Sequence, residues 1–175
     1  HQCLQDPRFV PVLQDARNFV MMTNRQYDMI TAEPTNPWIA GVNNLFTVEY
    51  YRHCRARLRP GGIMCQWLPA YNFTVEELQT ALATYALVFP YVSVWSFPRM
   101  RSDLFAIGSD QPIHVSPAAV AAALKSPVAA DLLTMGVSSV WEFLGALVQE
   151  TEIVRKGSQS AALNTDEHPR LEFST

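Results

Sequence analysis

The residues of this chain best suited to chemistry lie in the segment YDMITAEPTNPWIAGVNNLFTVEYY, residues 27–51. Its pattern predicts a buried strand over 27–32, a loop rich in Pro, Asn and Gly, and then a helix. Glu33 follows the strand directly, and ligands of open α/β sheets lie just beyond the carboxyl ends of strands. Glu33 is therefore the candidate catalytic carboxylate. The candidate residues beside it are Asn36, Pro37 and Trp38.

Each of these residues also has a purely structural interpretation, which stays open at this point. Glu33 could be a strand-end side chain that faces water. Asn36 before Pro37 is a common turn former. Trp38 could simply pack against its neighbours.

Alternating strands and helices are predicted around this loop. Pro60-Gly61-Gly62 is expected to end the helix after the loop, and Thr74-x-x-Glu77 is a capping box. The last two strands form an antiparallel hairpin. The predicted strands are 9–14, 27–32, 63–68, 91–97 and 103–109. The predicted helices are 16–23, 47–58, 74–89, 117–124, 127–135 and 140–149, followed by a polar stretch at 156–160.

Composition narrows the class of protein. The chain has 175 residues, 49% of them apolar and 17% charged, which is ordinary for a folded domain. A net charge of −3 gives no electrostatic reason to expect a nucleic-acid partner. The three cysteines are too few for a disulfide framework, so we expect reduced thiols and a cytoplasmic setting. The four histidines lack metal-ligand spacing, and we expect no metal site.

Three segments of the chain, taken together, resemble the spermidine synthase (polyamine aminopropyltransferase) family, and most closely its divergent spermidine-synthase-like branch. They are DPRFVPVLQDARNFV from residue 6, residues 27–69, and LNTDEHPRLEF from residue 163. The resemblance implies an α/β fold with a class I methyltransferase-like Rossmann sheet. It also implies aminopropyl transfer from decarboxylated S-adenosylmethionine to an amine such as putrescine, as in polyamine biosynthesis.

The same resemblance assigns roles to the candidate residues. An Asp after the third family strand serves the adenine, and Asp15 matches it, although Asp15 could equally cap a helix. Gln66 matches an active-site Gln. The family pattern Asp-x-x-Asp-Pro becomes Glu33-Pro34-Thr35-Asn36-Pro37, so the second carboxylate is a neutral amide here. Phe97-Pro98 replaces a Tyr-Pro pair of the amine site. The predicted donor-binding residues are Asp15, Ala16 and Pro37, and the predicted acceptor-binding residues are Asn36, Trp38 and Gln66.

The glycine-rich turn and the ribose-binding acidic residue of the family are not found in the sequence. We therefore expect a Rossmann sheet without its first strands, an inactive or incomplete fragment, and a parent protein that could carry membrane segments. The predicted domains are a partial Rossmann-like unit (1–112) and a helical extension packed on it (113–175). Strand 27–32 would have an open edge, which predicts a homo-oligomer.

Three function classes remain at this stage. The first is an aminopropyltransferase-like transferase acting on a small-molecule amine and a nucleoside co-substrate. The second is a methyltransferase-type enzyme that uses S-adenosylmethionine itself, since one fold supports several activities. The third is a non-catalytic remnant that binds a nucleoside or a protein. In the two enzyme classes the nucleoside is a co-substrate, and no permanently bound cofactor is expected.

Overall fold

A computed structural model describes residues 3–100 and 102–172. Within these residues a five-stranded mixed sheet has the strand order β1-β2-β4-β3-β5. Strands β1 and β2 are parallel, and the other neighbouring pairs are antiparallel. The strands are β1 (Tyr27–Ala32), β2 (Leu58–Pro69), β3 (Tyr91–Trp95), β4 (Asp103–Ser109) and β5 (Leu147–Glu150).

Helices cover this sheet in two groups. The first group builds the main core, in which Tyr51, Tyr85 and Phe89 are fully buried. Tyr85 Oη donates to the carbonyl of Met64 at 2.8 Å, which fixes α3 against β2. This group is α1 (Ala16–Met22), α2 (Val48–Arg57), α3 (Val75–Val88) and α7 (Thr151–Gly157). The second group encloses a smaller core around Trp95, Phe97 and Val137. It is α4 (Pro117–Ala123), α5 (Ala129–Thr134) and α6 (Val140–Leu144). Short 3₁₀ turns lie at Cys3–Gln5 and Val42–Leu45.

The locally encoded features agree with the sequence predictions. Strand 27–32 has the predicted bounds, and β3 and β4 form the predicted antiparallel hairpin. Thr47 Oγ1 caps α2 by accepting from the N–H of Tyr50. Thr74 and Glu77 form the complete capping box at the start of α3. The predicted α/β sheet of the methyltransferase type is therefore present.

Four local predictions are wrong. Residues 9–14 are irregular and exposed, because no strand of the described chain pairs with them and Pro11 lacks an N–H donor. Helix α2 ends before Pro60-Gly61-Gly62, which instead forms an irregular start of β2. Helix α5 begins at Ala129 and not at 127. The spacing of Val75, Leu78 and Leu82 predicts one apolar stripe along α3, but Val75 at its start is exposed.

The region after residue 140 departs further from the prediction. The predicted helix 140–149 stops at Leu144, and residues 147–150 pair with β3 as strand β5. The supposed polar stretch overlaps α7, which packs against α3 and β3. The extension is therefore more than a set of helices, because it adds a strand to the sheet.

Asn164 anchors the C-terminal segment in the main core. Its side chain is fully buried: Nδ2 donates to the carbonyl of Phe46 at 3.0 Å, and Oδ1 accepts from the N–H of Leu171 at 3.4 Å. Its backbone N–H donates to Thr84 Oγ1 at 2.9 Å, and its carbonyl accepts from the N–H of Val48. The segment thereby ties the start of α2 to the C-terminal half of α3. Phe173, the last residue of the predicted motif, lies outside the described residues.

A salt bridge fixes the same segment to α1. Arg17 Nη1 donates to Asp166 Oδ1 at 2.9 Å and to the carbonyl of Asn44 at 2.8 Å, while Nη2 contacts Asp166 Oδ2. Hydrogen bonding from the Arg17 guanidinium holds the pKa of Asp166 below its usual range. Asp166 therefore holds α1 against the C-terminal segment.

No helix among the described residues is long and apolar enough to cross a membrane.

We expect Asn164→Leu to lower the free energy of unfolding by about 2–4 kcal/mol, because several buried groups lose their partners. The matched control is Asn43→Leu. Asn43 is also fully buried, but its side-chain atoms have no hydrogen-bond partner among the described residues. Asn43→Leu should therefore lower the free energy of unfolding by less than about 1 kcal/mol, or raise it. Urea unfolding measures both variants, and a larger loss for Asn43→Leu would contradict the assignment.

We expect Asp166→Asn to lower stability at pH 7 by about 1 kcal/mol or less, as is typical of a partly exposed pair. Asp166 has a lowered pKa in the folded state, so its stabilising effect is present above its unfolded pKa. The effect is lost as the pH falls through the folded pKa. Unfolding curves of both proteins should therefore converge at acidic pH. Asp28→Asn, which removes an exposed pair with Arg59, should have a smaller effect.

Candidate active site

The register of β1 against β2 fixes where Glu33 lies relative to Gln66. Ala32 is opposite Gln66, and Thr31 is opposite Cys65, in the parallel pair. Glu33 continues the chain by one residue and is exposed at the carboxyl end of β1. Side chains alternate between the two faces of a strand, so Ala32 and Gln66 share the face of the main core, whereas the Glu33 charge acts on Cys65 on the other face. Gln66 itself lies within β2, which continues to Pro69.

Gln66 has an unusual environment for a polar side chain. It is fully buried, and its Nε2 donates to the carbonyl of Trp67 at 3.1 Å. No donor among the described residues reaches its Oε1. A buried acceptor without a partner is costly and is a common feature of binding sites. This oxygen has hydrogen-bonding capacity that no described residue uses, on the face of β2 that also carries the core residues Met64 and Leu68.

The loop after β1 is fixed by a hydrogen bond to the loop after β2. Tyr71 Oη and Asn36 Oδ1 are 2.7 Å apart, and the N–H of Ile39 donates to the carbonyl of Asn36 at 3.1 Å. Pro37 is buried beneath this contact. Gly41 allows the loop to turn with a φ of 83° before the 3₁₀ turn at 42–45. Asn36 is therefore a positioned neutral group and not a free turn residue.

Aromatic rings surround that hydrogen bond. The Trp38 ring meets Tyr71 and Phe73 edge to face, with centroids 6.4 and 6.1 Å apart. The Trp67 ring lies 6.4 Å from Tyr71. We call these four residues, Trp38, Trp67, Tyr71 and Phe73, the aromatic corner. Sequence reasoning found Trp38 alone, although Tyr71 and Phe73 follow the end of β2 in the same way that Glu33 follows β1.

A second carboxylate reaches this edge from β4. Asp103 begins β4 opposite Pro69, and its Oδ1 accepts from Trp67 Nε1 at 3.0 Å. It lies on the far side of β2 from Glu33, about two strand spacings or 10 Å across the sheet. Asp103 was also missed, because its position depends on the β2–β4 pairing.

The Glu33 charge affects the opposite strand. Burial, with a further contribution from Glu33, raises the pKa of the Cys65 thiol to about 11. The thiol is therefore protonated at neutral pH and is a poor nucleophile. No group of His, Cys, Asp or Glu in the described residues is arranged to hold a metal ion.

The predicted donor-binding residues lie at the start of α1. Asp15 is exposed and caps α1 by accepting from the N–H of Asn18 at 2.7 Å. Ala16 lines a cleft of about 330 Å³ between α1 and β1, together with Phe19, Ile30 and Tyr50. This cleft is large enough for part of a nucleoside-sized ligand. Asp15 and Ala16 belong to this cleft region, whereas Asn36 and Trp38 belong to the aromatic corner.

Phe97 is not part of this site. It is buried in the smaller core, with its ring 6.0 Å from Phe105 and 5.9 Å from Phe143. The expected position of a family Tyr-Pro pair at Phe97-Pro98 is thus occupied by a packing residue. A tyrosine hydroxyl at this edge comes instead from Tyr71.

Comparison with known proteins supports the same fold. The polyamine aminopropyltransferase of Escherichia coli O1:K1 is 45% identical over 58 residues, which are 33% of this chain and 20% of that protein. The spermidine synthase of Thermotoga maritima superposes with a TM-score of 0.64 at 18% identity, over 89% of this chain and 52% of that one. A spermidine synthase in complex with the transition-state analogue AdoDATO gives 0.64 at 16% identity, over 89% and 51%.

The aligned region therefore covers a fifth of the length of the Escherichia coli protein, and this chain covers about half of the length of each solved structure. The family model for the spermine/spermidine synthase domain matches residues 1–108, which include β1, β2 and both loops of the candidate site. The match covers well over half of the sequence, and the chain belongs to the spermine/spermidine synthase family.

Proposed function

We propose that this protein takes part in aminopropyl transfer from decarboxylated S-adenosylmethionine to an amine. The observation that carries the proposal is the register of β1 and β2. It ends β1 opposite Gln66, so that the exposed Glu33 follows one residue beyond this pair, and the buried Oε1 of Gln66 has no partner among the described residues. A carboxylate and an amide oxygen are both acceptors, so this pair suits a group rich in N–H donors.

Glu33 is the proposed general base. The acceptor amine is protonated at neutral pH, and it attacks after its proton passes to the Glu33 carboxylate. The nitrogen lone pair then forms a bond to the propyl carbon beside the sulfonium. The carbon–sulfur bond breaks, and its electron pair leaves with sulfur as methylthioadenosine. Gln66 Oε1 would orient the amine by accepting one of its remaining N–H groups.

The proposed donor site is the cleft between α1 and β1. Ala16 lines it, and Asp15 at the start of the same helix would accept from the exocyclic amine of the adenine. A cap uses one carboxylate oxygen of Asp15 and leaves the other for this contact. Pro37 would give an apolar surface on the opposite loop. A sulfonium also suits aromatic walls, which the aromatic corner offers.

Mass spectrometry of the purified protein with each of the two donors and a panel of amines tests this proposal. The expected product is an amine heavier by one aminopropyl group, together with methylthioadenosine. A methylated amine and S-adenosylhomocysteine would replace the proposal with methyl transfer. No product from either donor would indicate a binding role alone.

We expect Glu33→Gln to lower the transfer rate by about 10²–10⁴, the usual contribution of a general base. The fold should be unaffected because Glu33 is exposed. The matched control is Glu152→Gln, an exposed residue on α7, which should leave the rate unchanged. Comparable activity of Glu33→Gln and the unaltered protein would remove Glu33 from the mechanism.

We also propose that β1 mediates self-association. It is an edge strand of the sheet formed by the described residues, and Met29 on it is 52% exposed. An apolar edge strand with free N–H and C=O groups readily pairs with another chain.

Light scattering should therefore detect a concentration-dependent homo-oligomer. Met29→Lys should shift it toward monomer, because a charge on an edge strand opposes pairing. Met22→Lys, which adds the same charge to an exposed position on α1, is the matched control and should have less effect. A monodisperse monomer across the concentration range would overturn the proposal.

A further inference from the structure

A cavity of about 500 Å³ lies on the sheet face opposite the main core. Cys65 of β2 and its partner Ile107 of β4 form its base, because side chains alternate along a strand and Met64 and Ala106 belong to the main core. The walls come from α4, the end of α5, and α6, which contribute Ala119, Met135 and Phe143. The cavity is therefore enclosed by elements of both the sheet and the C-terminal region.

The side chains that line this cavity are almost all apolar. No Asp, Glu, Lys or Arg of the described chain lines it. Trp95 Nε1 is satisfied, since it donates to Ser93 Oγ at 2.8 Å. The Cys65 thiol is protonated at neutral pH, because burial raises its pKa to about 11. The cavity thus offers no opposite charge to an ion, and it gains free energy when an apolar molecule covers its surface.

A neighbouring cavity of about 590 Å³ has a different chemistry. Glu150 and Glu152 line it, so a cation would be attracted there. The two cavities share Trp95 and the segment 113–115. Charge therefore separates the ligands that suit each cavity, and the first suits an uncharged one.

Residues 112–115, which we call the strap, run past the first cavity between β4 and α4. Both ends of this connection are fixed: Asp110 Oδ1 accepts from the N–H of Gly61 at 2.9 Å, and Ser116 Oγ accepts from the N–H of Ala119 at 3.3 Å. The strap itself makes no hydrogen bond to any described residue. A segment held in place without backbone hydrogen bonds opens at a small cost in free energy.

The size and the lining of the first cavity favour a small aromatic molecule over a protein segment. Pockets for drug-sized ligands are mostly apolar and have volumes of about 300–1,000 Å³. A docking helix would need a free channel roughly 10 Å wide, whereas this cavity has walls on several sides. The ring of Phe97 lies 6.0 Å from Phe105 and 5.9 Å from Phe143, and both pairs are tilted. Tilted rings present edges and faces that pack well against a further ring.

We propose that this cavity binds a small, uncharged aromatic molecule, and that the strap closes over it. The inference does not depend on the proposed transfer activity, because neither Glu33 nor Gln66 lines the cavity.

Fluorescence titration of the full chain with two matched probes tests the proposal. N-phenyl-1-naphthylamine is uncharged, and 8-anilinonaphthalene-1-sulfonate has the same rings with an added sulfonate. We expect the uncharged probe to saturate at one molecule per chain. It should bind about tenfold more tightly than the sulfonate, because an ion loses its hydration in a cavity without a partner.

Ala119→Phe should weaken binding of the uncharged probe by about fivefold or more, since a phenyl group would fill space that the probe needs. Ala119 is exposed at the opening of the cavity, so the fold should tolerate this change. The matched control is Ala118→Phe. Ala118 is an exposed neighbour on α4 that does not line the cavity, and this variant should bind as the unaltered chain does.

Hydrogen exchange tests the movement of the strap. The amides of 113–115 should exchange rapidly in the free chain and about fivefold more slowly or less when the uncharged probe is bound. Unchanged exchange in the bound state would refute closure of the strap.

Equal affinities for the two probes, no binding, or equal effects of Ala118→Phe and Ala119→Phe would overturn the proposed site. An affinity for the uncharged probe that falls as the chain concentration rises would also overturn it, because a second copy of the chain would then cover the cavity.

Discussion

The parallel pairing of β1 with β2 is the constraint on which the candidate site depends. Ala32 opposite Gln66 fixes where β1 ends relative to β2, which continues to Pro69, and hence where the loops that follow the two strands can meet. A shift of one residue would turn the side chains of β1 to the other face of the sheet and remove Ile30 and Ala32 from the core. The packing of that face therefore protects the position of Glu33, although Glu33 itself is exposed.

The C-terminal segment extends this control to α1. Asn164 joins the start of α2 to the C-terminal half of α3 through buried hydrogen bonds, and Asp166 holds Arg17 on α1. Helix α1 also carries Asp15 and borders the cleft beside β1. A segment remote in sequence thus sets the geometry of the proposed donor side. The main core connects the two sides of the site, since α2 packs on α1 and on α3.

Local signals explain which features were predictable from the sequence. The caps at Thr47 and Thr74 depend on residues within one helical turn. Residues 27–32 form the strand that was predicted, but the prediction that it is buried is wrong, because β1 is an edge strand of the described sheet and none of its residues is buried. Residues 147–150 became a strand because β3 offers them a partner about 50 residues away in sequence, whereas 9–14 has none among the described residues. The Tyr71–Asn36 contact spans 35 residues and could not be derived from spacing. The sheet-edge rule correctly predicts that Glu33 directly follows the end of β1, whereas Gln66 lies inside β2, which continues to Pro69.

At position 36 this chain has an asparagine where the family pattern has an aspartate. This exchange changes the electrostatics at the carboxyl edge of the sheet more than it changes the shape of the side chain. Asn and Asp are nearly isosteric, and either could accept from Tyr71 Oη. An aspartate at position 36 would add a negative charge to the loop that also carries Glu33. With asparagine, the negative potential centres on Glu33, and the rings of Trp38 and Tyr71 favour apolar contact. Tyr71 makes this neutral arrangement stable, because an unpartnered amide in a half-buried loop would otherwise lose hydrogen bonds to water.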